Sequence, residues 1–214
     1  MPENFIYIYK GKEYPVVIKR KKMKNMIFRF KDGGFIVSAP TYALQKSIVK
    51  GLNRFGPKMI EKDEAKPKNE GDNFIYLLGS KIDIYDSGII RFSDNSEIKY
   101  NSKEELNDKL KKFFLNFITN RVRFYEHRMN LSPYKVRVKN MTTRYGSNSR
   151  RSKSLSFAMI LLHYSVDVID SVVVHELAHE YYFDHSKNFY NIVYKYFPSY
   201  DKAHYKLRKG IYHD

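Results

Sequence analysis

The pentapeptide His175-Glu176-Leu177-Ala178-His179 is the feature that most constrains how this chain can fold. Apolar residues at helical spacing precede it, among them Ile169 and Val173, and Ser165 is a favourable helix N-cap residue. In a helix, positions i and i+4 lie about 40° apart around the axis and one turn apart along it. The sequence therefore predicts a helix whose last turns present both imidazoles on one face.

This spacing is the HExxH arrangement, which suits a metal ion. Two imidazoles on one face can bind a single Zn²⁺ at about 2.1 Å. Glu176 then points beside the open coordination position, where it can accept a proton from a water whose pKa the metal lowers towards about 7. The motif thus indicates a zinc-dependent hydrolase with Glu176 as general base.

A third protein ligand is needed, and His185 is the best candidate. Continued helix would carry it about 9 Å along the axis, so the chain must reverse between residues 180 and 184. Asp184 tolerates unusual backbone angles, and Ser186 can begin a new helix. Because the chain has no cysteine, zinc must rest on His and carboxylate donors. We expect His175, His179 and His185 to be the metal ligands.

The first hundred residues have mostly strand patterns. Residues 5–40 predict two β-hairpins, and Thr41 can cap a helix running to about residue 60. Residues 61–72 are polar and resemble a flexible link. Short strands are then predicted at residues 74–78, 81–85, 89–92 and 97–100.

The later residues alternate helices with strands. Ser102 and Glu105 form a capping box for a helix ending near residue 130. Strands are predicted at residues 135–139 and 155–161, separated by a polar loop at 142–153. The second strand is either central and buried or an edge to which an extended peptide can add. Two further helices are predicted, one beginning at Ser186 and one at about residues 200–209.

We therefore expect an α+β fold. Residues 1–100 form a β-rich N-terminal subdomain with one helix. Residues 101–214 form a catalytic subdomain, in which the HExxH helix packs on a small sheet, and both belong to one compact unit.

Charge and hydropathy limit the location and the partners. The formal net charge is +16; residues 1–68 hold 16 Lys/Arg against 6 Asp/Glu. Such a surface is either simply solvated or attracts nucleic acid or nucleotides.

The longest strictly apolar run, residues 157–162, is far shorter than the roughly 20 residues that cross a bilayer. No secretory signal pattern begins the chain, so a cytoplasmic location without a membrane partner is expected. The oligomeric state stays open.

The chain resembles the YgjP-like metallopeptidase domain family. The amino-terminal half shares shorter segments with it, at Asp32-Gly33-Gly34, Val37-Ser38-Ala39-Pro40 and Tyr76-Leu77-Leu78-Gly79. The specific segments are Arg144-Tyr145-Gly146-Ser147-Asn148-Ser149 (an RWGSCS-like loop in the family), Val168-Ile169-Asp170, Val172-Val173-Val174, His175-Glu176-Leu177-Ala178-His179, His185-Ser186, Phe189 and Pro198-Ser199-Tyr200. The resemblance implies a zincin-like (minigluzincin-type) fold, Zn²⁺ on the three histidines and Glu176 as general base.

Other residues and functions stay open. Arg144, Tyr181, Tyr182 and His204 either stabilise an oxyanion or have only a packing or surface role, and Arg144 and Tyr182 are the first choices for a supporting or substrate-binding role. The leading function is a metallopeptidase that cleaves a peptide or protein substrate. The first alternative is a metal-dependent nucleotide phosphoanhydride hydrolase, motivated by the cluster Arg144, Arg150, Arg151 and Lys153. The second alternative is a basic nucleic-acid-binding module with a structural zinc.

Overall fold

A computed structural model describes residues 3–65, 68–71, 73–92 and 96–213 and shows the expected α+β fold. Internal contacts divide the chain into unit 1, residues 1–66, and unit 2, residues 67–214. This division does not decide the subdomain boundary predicted at residue 100, which stays a prediction. None of the helices in the described ranges has the length and hydropathy of a membrane-spanning segment. The elements in chain order are β1 (Glu3–Tyr9), β2 (Lys12–Lys21), β3 (Ile27–Lys31), β4 (Gly34–Pro40), α1 (Gln45–Glu64), β5 (Glu70–Gly71), β6 (Phe74–Leu77), β7 (Ser80–Asp83), β8 (Gly88–Arg91), β9 (Glu97–Tyr100), α2 (Lys103–Arg128), β10 (Lys135–Lys139), β11 (Gly146–Ser149), β12 (Ser154–Ala158), a 3₁₀ turn (Met159–His163), α3 (Val166–Ala178), α4 (Lys187–Tyr196) and α5 (Tyr200–Lys209).

Unit 1 is a four-stranded sheet with one helix. The order is β1-β2-β4-β3; both predicted hairpins are confirmed, and β2 pairs with β4 in parallel. Helix α1 begins later than predicted because the residues after Pro40 form a turn, in which Ala43 N donates to Pro40 O. It buries Ile48, Leu52 and Ile60 in the core that it shares with the sheet.

The predicted polar link is partly helix. Residues 61–64 continue α1, and residues 70 and 71 form β5. Residues 66, 67 and 72 of this link lie outside the described part. The four short strands predicted after it are confirmed as β6 to β9, which form small antiparallel sheets.

The sheet of unit 2 has the order β10-β12-β11. β12 is its central strand and is buried along all five residues, so the edge-strand alternative for residues 155–161 is wrong. The strand also ends at Ala158, where the 3₁₀ turn begins. β11 lies inside the loop predicted at residues 142–153 and pairs with β12 in antiparallel fashion, so β11 is an edge strand.

Helix α3 is the central element of unit 2 and packs against α2, α4, α5 and β11. Ser102 caps α2 as predicted, since its Oγ accepts a hydrogen bond from Glu105 N at 3.1 Å; the Glu105 carboxylate accepts from Asn101 N at 2.8 Å, one residue before the position that a capping box requires. A buried carboxylate joins the two helices: Asp170 Oδ1 accepts from Arg121 Nε at 2.7 Å, and its Oδ2 accepts from Tyr125 at 3.1 Å. These contacts fix the helix that carries the HExxH residues.

Candidate active site

The end of α3 places His175, Glu176 and His179 together, as the spacing predicts. The helix buries its apolar residues almost all round, and one side of its second half, from Ser171 to His179, lines a pocket. His179 is the C-cap residue of α3. The backbone hydrogen bond from Glu180 N to Leu177 O at 3.0 Å spans three residues, so the turn that follows is tighter than a turn of α-helix. The helix therefore ends where the third ligand requires a reversal.

His185 returns to the end of α3, as the sequence requires. Ser186 is the N-cap of α4, and its Oγ accepts a hydrogen bond from Phe189 N at 3.5 Å. The Nε2 atoms of His185 and His175 are 3.1 Å apart. One nitrogen from each of His175, His179 and His185 lies within 4.8 Å of the others. The structure thus brings the three predicted ligands into one cluster, which we call the histidine triad.

Phe189 packs against all three rings of the histidine triad. Its ring centroid lies 4.9 Å from that of His175, 4.7 Å from that of His179 and 5.0 Å from that of His185. The side chain is fully buried, so it cannot easily move away. One apolar residue of α4 therefore holds all three imidazoles at similar distances.

The outer nitrogens of two triad residues have hydrogen-bond partners. Nδ1 of His175 lies 2.9 Å from the hydroxyl of Tyr200, and Nδ1 of His179 lies 3.2 Å from the carbonyl oxygen of Tyr182. A carbonyl only accepts, so His179 donates from Nδ1 and keeps the lone pair of Nε2. Burial and then the neighbouring His179 lower the pKa of His175 to about 3, which keeps that ring neutral at pH 7.

Glu176 is buried at the wall of the same pocket. Its carboxylate lies against Gly146 of β11, where an added β-carbon would be 2.5 Å from Oε1. Asn148 Nδ2 donates to the backbone oxygen of Glu176 at 2.7 Å and ties β11 to α3. Burial raises the pKa of Glu176 to about 7, against the opposing charge of Arg144. A carboxylate with this pKa can take up and release a proton near neutral pH.

The pocket has a volume of about 460 Å³, which is enough for several side chains of an extended peptide. β11 and its preceding loop form one wall, and α5 forms another. The residues that line it are Arg144, Tyr145, Gly146, Ser147, Asn148, Ser171, Val172, His175, Glu176, His179, Phe183, His185, Tyr200, His204 and Leu207.

Among the other sequence candidates, Arg144 and His204 line the pocket. Tyr182 meets the site through its backbone carbonyl, while its side chain is 39% exposed. The hydroxyl of Tyr181 donates to Met129 O at 2.5 Å, which is a packing contact.

Sequence reasoning missed the contacts of Tyr200 and Gly146. Both residues lie in segments that carry the family resemblance. The resemblance of these segments is the signal that could have pointed to roles beyond metal binding.

Similarity to known proteins indicates the family of the chain. Residues 24–210 match the sequence model of the family described as YgjP-like, metallopeptidase domain. No curated protein matches the chain. Two similar solved structures are metallopeptidase zymogens. Jannalysin of Methanocaldococcus jannaschii is 20% identical, with a TM-score of 0.41 over 44% of this chain and 96% of that chain. Abylysin of Pyrococcus abyssi is 18% identical, with a TM-score of 0.41 over 45% of this chain and 97% of that chain. The family model matches most of the length of this chain, and the chain therefore belongs to the YgjP-like metallopeptidase domain family.

Proposed function

We propose that this chain is a zinc peptidase in which the histidine triad binds the metal and Glu176 is the general base. Family membership makes the chain a metallopeptidase, which implies a divalent metal and a peptide or protein substrate. The observation that carries the finer proposal is the convergence of three imidazole nitrogens beside a buried carboxylate. Membership of this family supports neither alternative function, the nucleotide hydrolase or the nucleic-acid-binding module with a structural zinc.

The donor set fits zinc. Zinc prefers imidazole nitrogens at about 2.0–2.1 Å in a tetrahedron, which puts neighbouring nitrogens roughly 3.3 Å apart. The separation of 3.1 Å between Nε2 of His175 and Nε2 of His185 is close to this value. Among the described residues, the metal-binding group contains these three side chains, and three protein ligands are typical of catalytic zinc. Bound zinc supplies Lewis acidity towards the carbonyl and makes water more acidic.

The protein's own residues do the proton transfer and the positioning. Glu176 accepts a proton as water attacks the peptide carbonyl and gives it to the departing amine, a task suited to its raised pKa. Because β11 is an edge strand and lines the pocket, an extended substrate can pair with its backbone. Arg144, at the pocket wall, is positioned to stabilise negative charge that develops on the substrate.

Substrate profiling tests this proposal. The purified, zinc-loaded chain is incubated with a quenched fluorescent peptide library and, separately, with a panel of nucleotides. We expect peptide cleavage that stops with a zinc chelator and returns with added zinc, and no phosphate release. Phosphate release without peptide cleavage would show that the nucleotide alternative is correct.

Tyr200→Phe is expected to weaken zinc binding by about 10- to 100-fold, because removing the hydrogen-bond partner of a ligating histidine loosens its orientation. Tyr194→Phe is the matched control: it is a nearby exposed tyrosine whose hydroxyl contacts Asp201 at 2.9 Å. Competition with a chromophoric chelator measures both affinities. Equal affinity for the two variants would show that Tyr200 does not position His175.

Gly146→Ala is expected to lower kcat on the best peptide by on the order of 10²-fold while zinc stays bound. The added carbon would lie 2.5 Å from the Glu176 carboxylate and push it out of position, and small misplacements of a reacting group have effects of this size. Gly88→Ala is the control, since its added carbon is 3.2 Å from the hydroxyl of Tyr100, in a separate hairpin. Steady-state kinetics and metal analysis check both, and an unchanged kcat for Gly146→Ala contradicts the role of this close contact.

A further inference from the structure

Helix α1 carries a line of cations on its exposed side. Lys46, Lys50, Arg54 and Lys58 recur at every fourth residue, and all four side chains are exposed. Each step of four residues rises about 6 Å along a helix, so the charges extend over about 18 Å. We call these four residues the basic stripe.

No acidic side chain interrupts the basic stripe. The sequence contains no Asp or Glu between Asp32 and Glu61. Those two acids lie close to other cations, Asp32 to Lys31 at 3.3 Å and Glu61 to Lys10 at 3.2 Å. Like charges four residues apart repel each other and destabilise a helix. An extended polyanion bound along α1 would remove this repulsion.

An apolar groove of about 420 Å³ borders the stripe. It lies between α1 and the edge strand β3, and its lining includes Phe28 and Phe55. Phe55 is 45% exposed, with its ring centroid 5.8 Å from that of Phe28. The guanidinium of Arg54 lies 5.2 Å from the centroid of Phe55. Exposed aromatic rings beside cations are the features with which proteins stack bases and contact phosphates of single strands.

We propose that the basic stripe and Phe55 form a binding surface for single-stranded nucleic acid. Phosphates contact the four cations, and a base stacks on the exposed ring. A membrane surface fits less well, because the large aliphatic residues of α1, Ile48, Leu52 and Ile60, are buried in the core of unit 1. An acidic peptide offers carboxylates but no planar base for Phe55. The proposal concerns unit 1 and does not depend on the proposed peptidase mechanism.

The test measures binding of a fluorescent thymidine oligonucleotide of about 20 nucleotides to the full chain at several salt concentrations. The variant K46Q/K50Q/R54Q/K58Q is expected to bind at least tenfold more weakly. Its slope of log affinity against log salt should be smaller by about 3, since each lost phosphate contact removes about 0.7. Glutamine keeps the helix propensity close to that of lysine and arginine.

The control variant K111Q/K112Q/K195Q/K209Q removes four exposed cations of unit 2 and has the same net charge. Its affinity is expected to stay within about twofold of the unsubstituted chain, because binding depends on the stripe rather than on total charge. Phe55→Ala should weaken binding by about tenfold without changing the salt slope, as expected for lost stacking.

Three results would overturn the proposal. The first is equal weakening by the two quadruple variants, and the second is no oligonucleotide binding at about 50 mM salt. The third is stripe-dependent binding to phosphatidylserine vesicles without oligonucleotide binding. Should the quadruple variant fail to fold, Lys50→Gln and Arg54→Gln replace it, and each is expected to reduce the slope by about 0.7.

Discussion

Glu176→Gln is expected to lower kcat on the best peptide substrate by about 10³-fold while the chain still binds one equivalent of zinc. Glutamine has the size of glutamate and fits the same buried place against Gly146, but it cannot accept a proton. The three imidazoles are unchanged, so metal content should not fall. Burial raises the pKa of Glu176, which means that the charged form is disfavoured there, so the variant should not be less stable.

Glu180→Gln is the matched control for this substitution. Glu180 lies one turn further along the chain and accepts hydrogen bonds from Lys153 Nζ at 2.6 Å and from the hydroxyl of Tyr134. Glu180, Lys153 and Tyr134 are not among the residues that line the pocket, so activity should stay close to that of the unsubstituted chain. Steady-state kinetics with metal analysis measure both variants. If Glu176→Gln hydrolyses peptides as fast as the unsubstituted protein, the general-base assignment is wrong.

His185→Ala is expected to weaken zinc binding by at least about 10²-fold. Structural zinc sites with four ligands bind with about 10–16 kcal/mol, so one ligand contributes roughly 3 kcal/mol. The loss should be visible as partial metal content after dialysis and as a smaller stabilisation of the fold by added zinc. His185 is exposed and lies in the segment after α3, so the rest of unit 2 should keep its structure.

His204→Ala is the control for the third ligand. His204 lines the same pocket and stacks on Tyr200 with ring centroids 5.4 Å apart, but it is outside the histidine triad. Its replacement should leave the zinc affinity within a few-fold of normal. Competition titrations with a chelator compare the two variants. Equal retention in both would mean that another side chain supplies the third donor.

The sequence predicts local structure well where side-chain chemistry acts over a few residues. Ser102 and Ser186 both cap the helices that they were expected to begin. The reversal that His185 requires also occurs, because His179 ends α3 and Ser186 begins the next helix soon afterwards. Each of these features depends on neighbours within about one helical turn.

Features that depend on distant residues were not predictable in the same way. β11 has the sequence Gly-Ser-Asn-Ser, which lacks the β-branched and aromatic residues that indicate a strand. It is a strand because it pairs with β12. Likewise, Tyr200 reaches His175 across 25 positions of sequence, a contact that only the packing of α5 against α3 creates. The parallel pairing of β2 with β4 is another such long-range choice.

The histidines also combine features that the sequence predicts with contacts that only the tertiary structure creates. Spacing alone places His175 and His179 on one face, and the need for a third donor points to His185. Their outer hydrogen bonds, to Tyr200 and to the carbonyl of Tyr182, come from tertiary structure and from the turn after α3. Such bonds fix which ring nitrogen is available to a metal, so the site depends on residues outside the HExxH motif.

X-ray absorption at the zinc edge tests most directly whether His175, His179 and His185 bind the metal. The spectrum is recorded on the unsubstituted chain after loading with one equivalent of zinc. It should show three imidazole nitrogens at about 2.0–2.1 Å and one oxygen neighbour from solvent, and His185→Ala should lose one imidazole from that shell. A shell with fewer imidazoles, or one that the His185 substitution leaves intact, would show that the three histidines do not bind the zinc together.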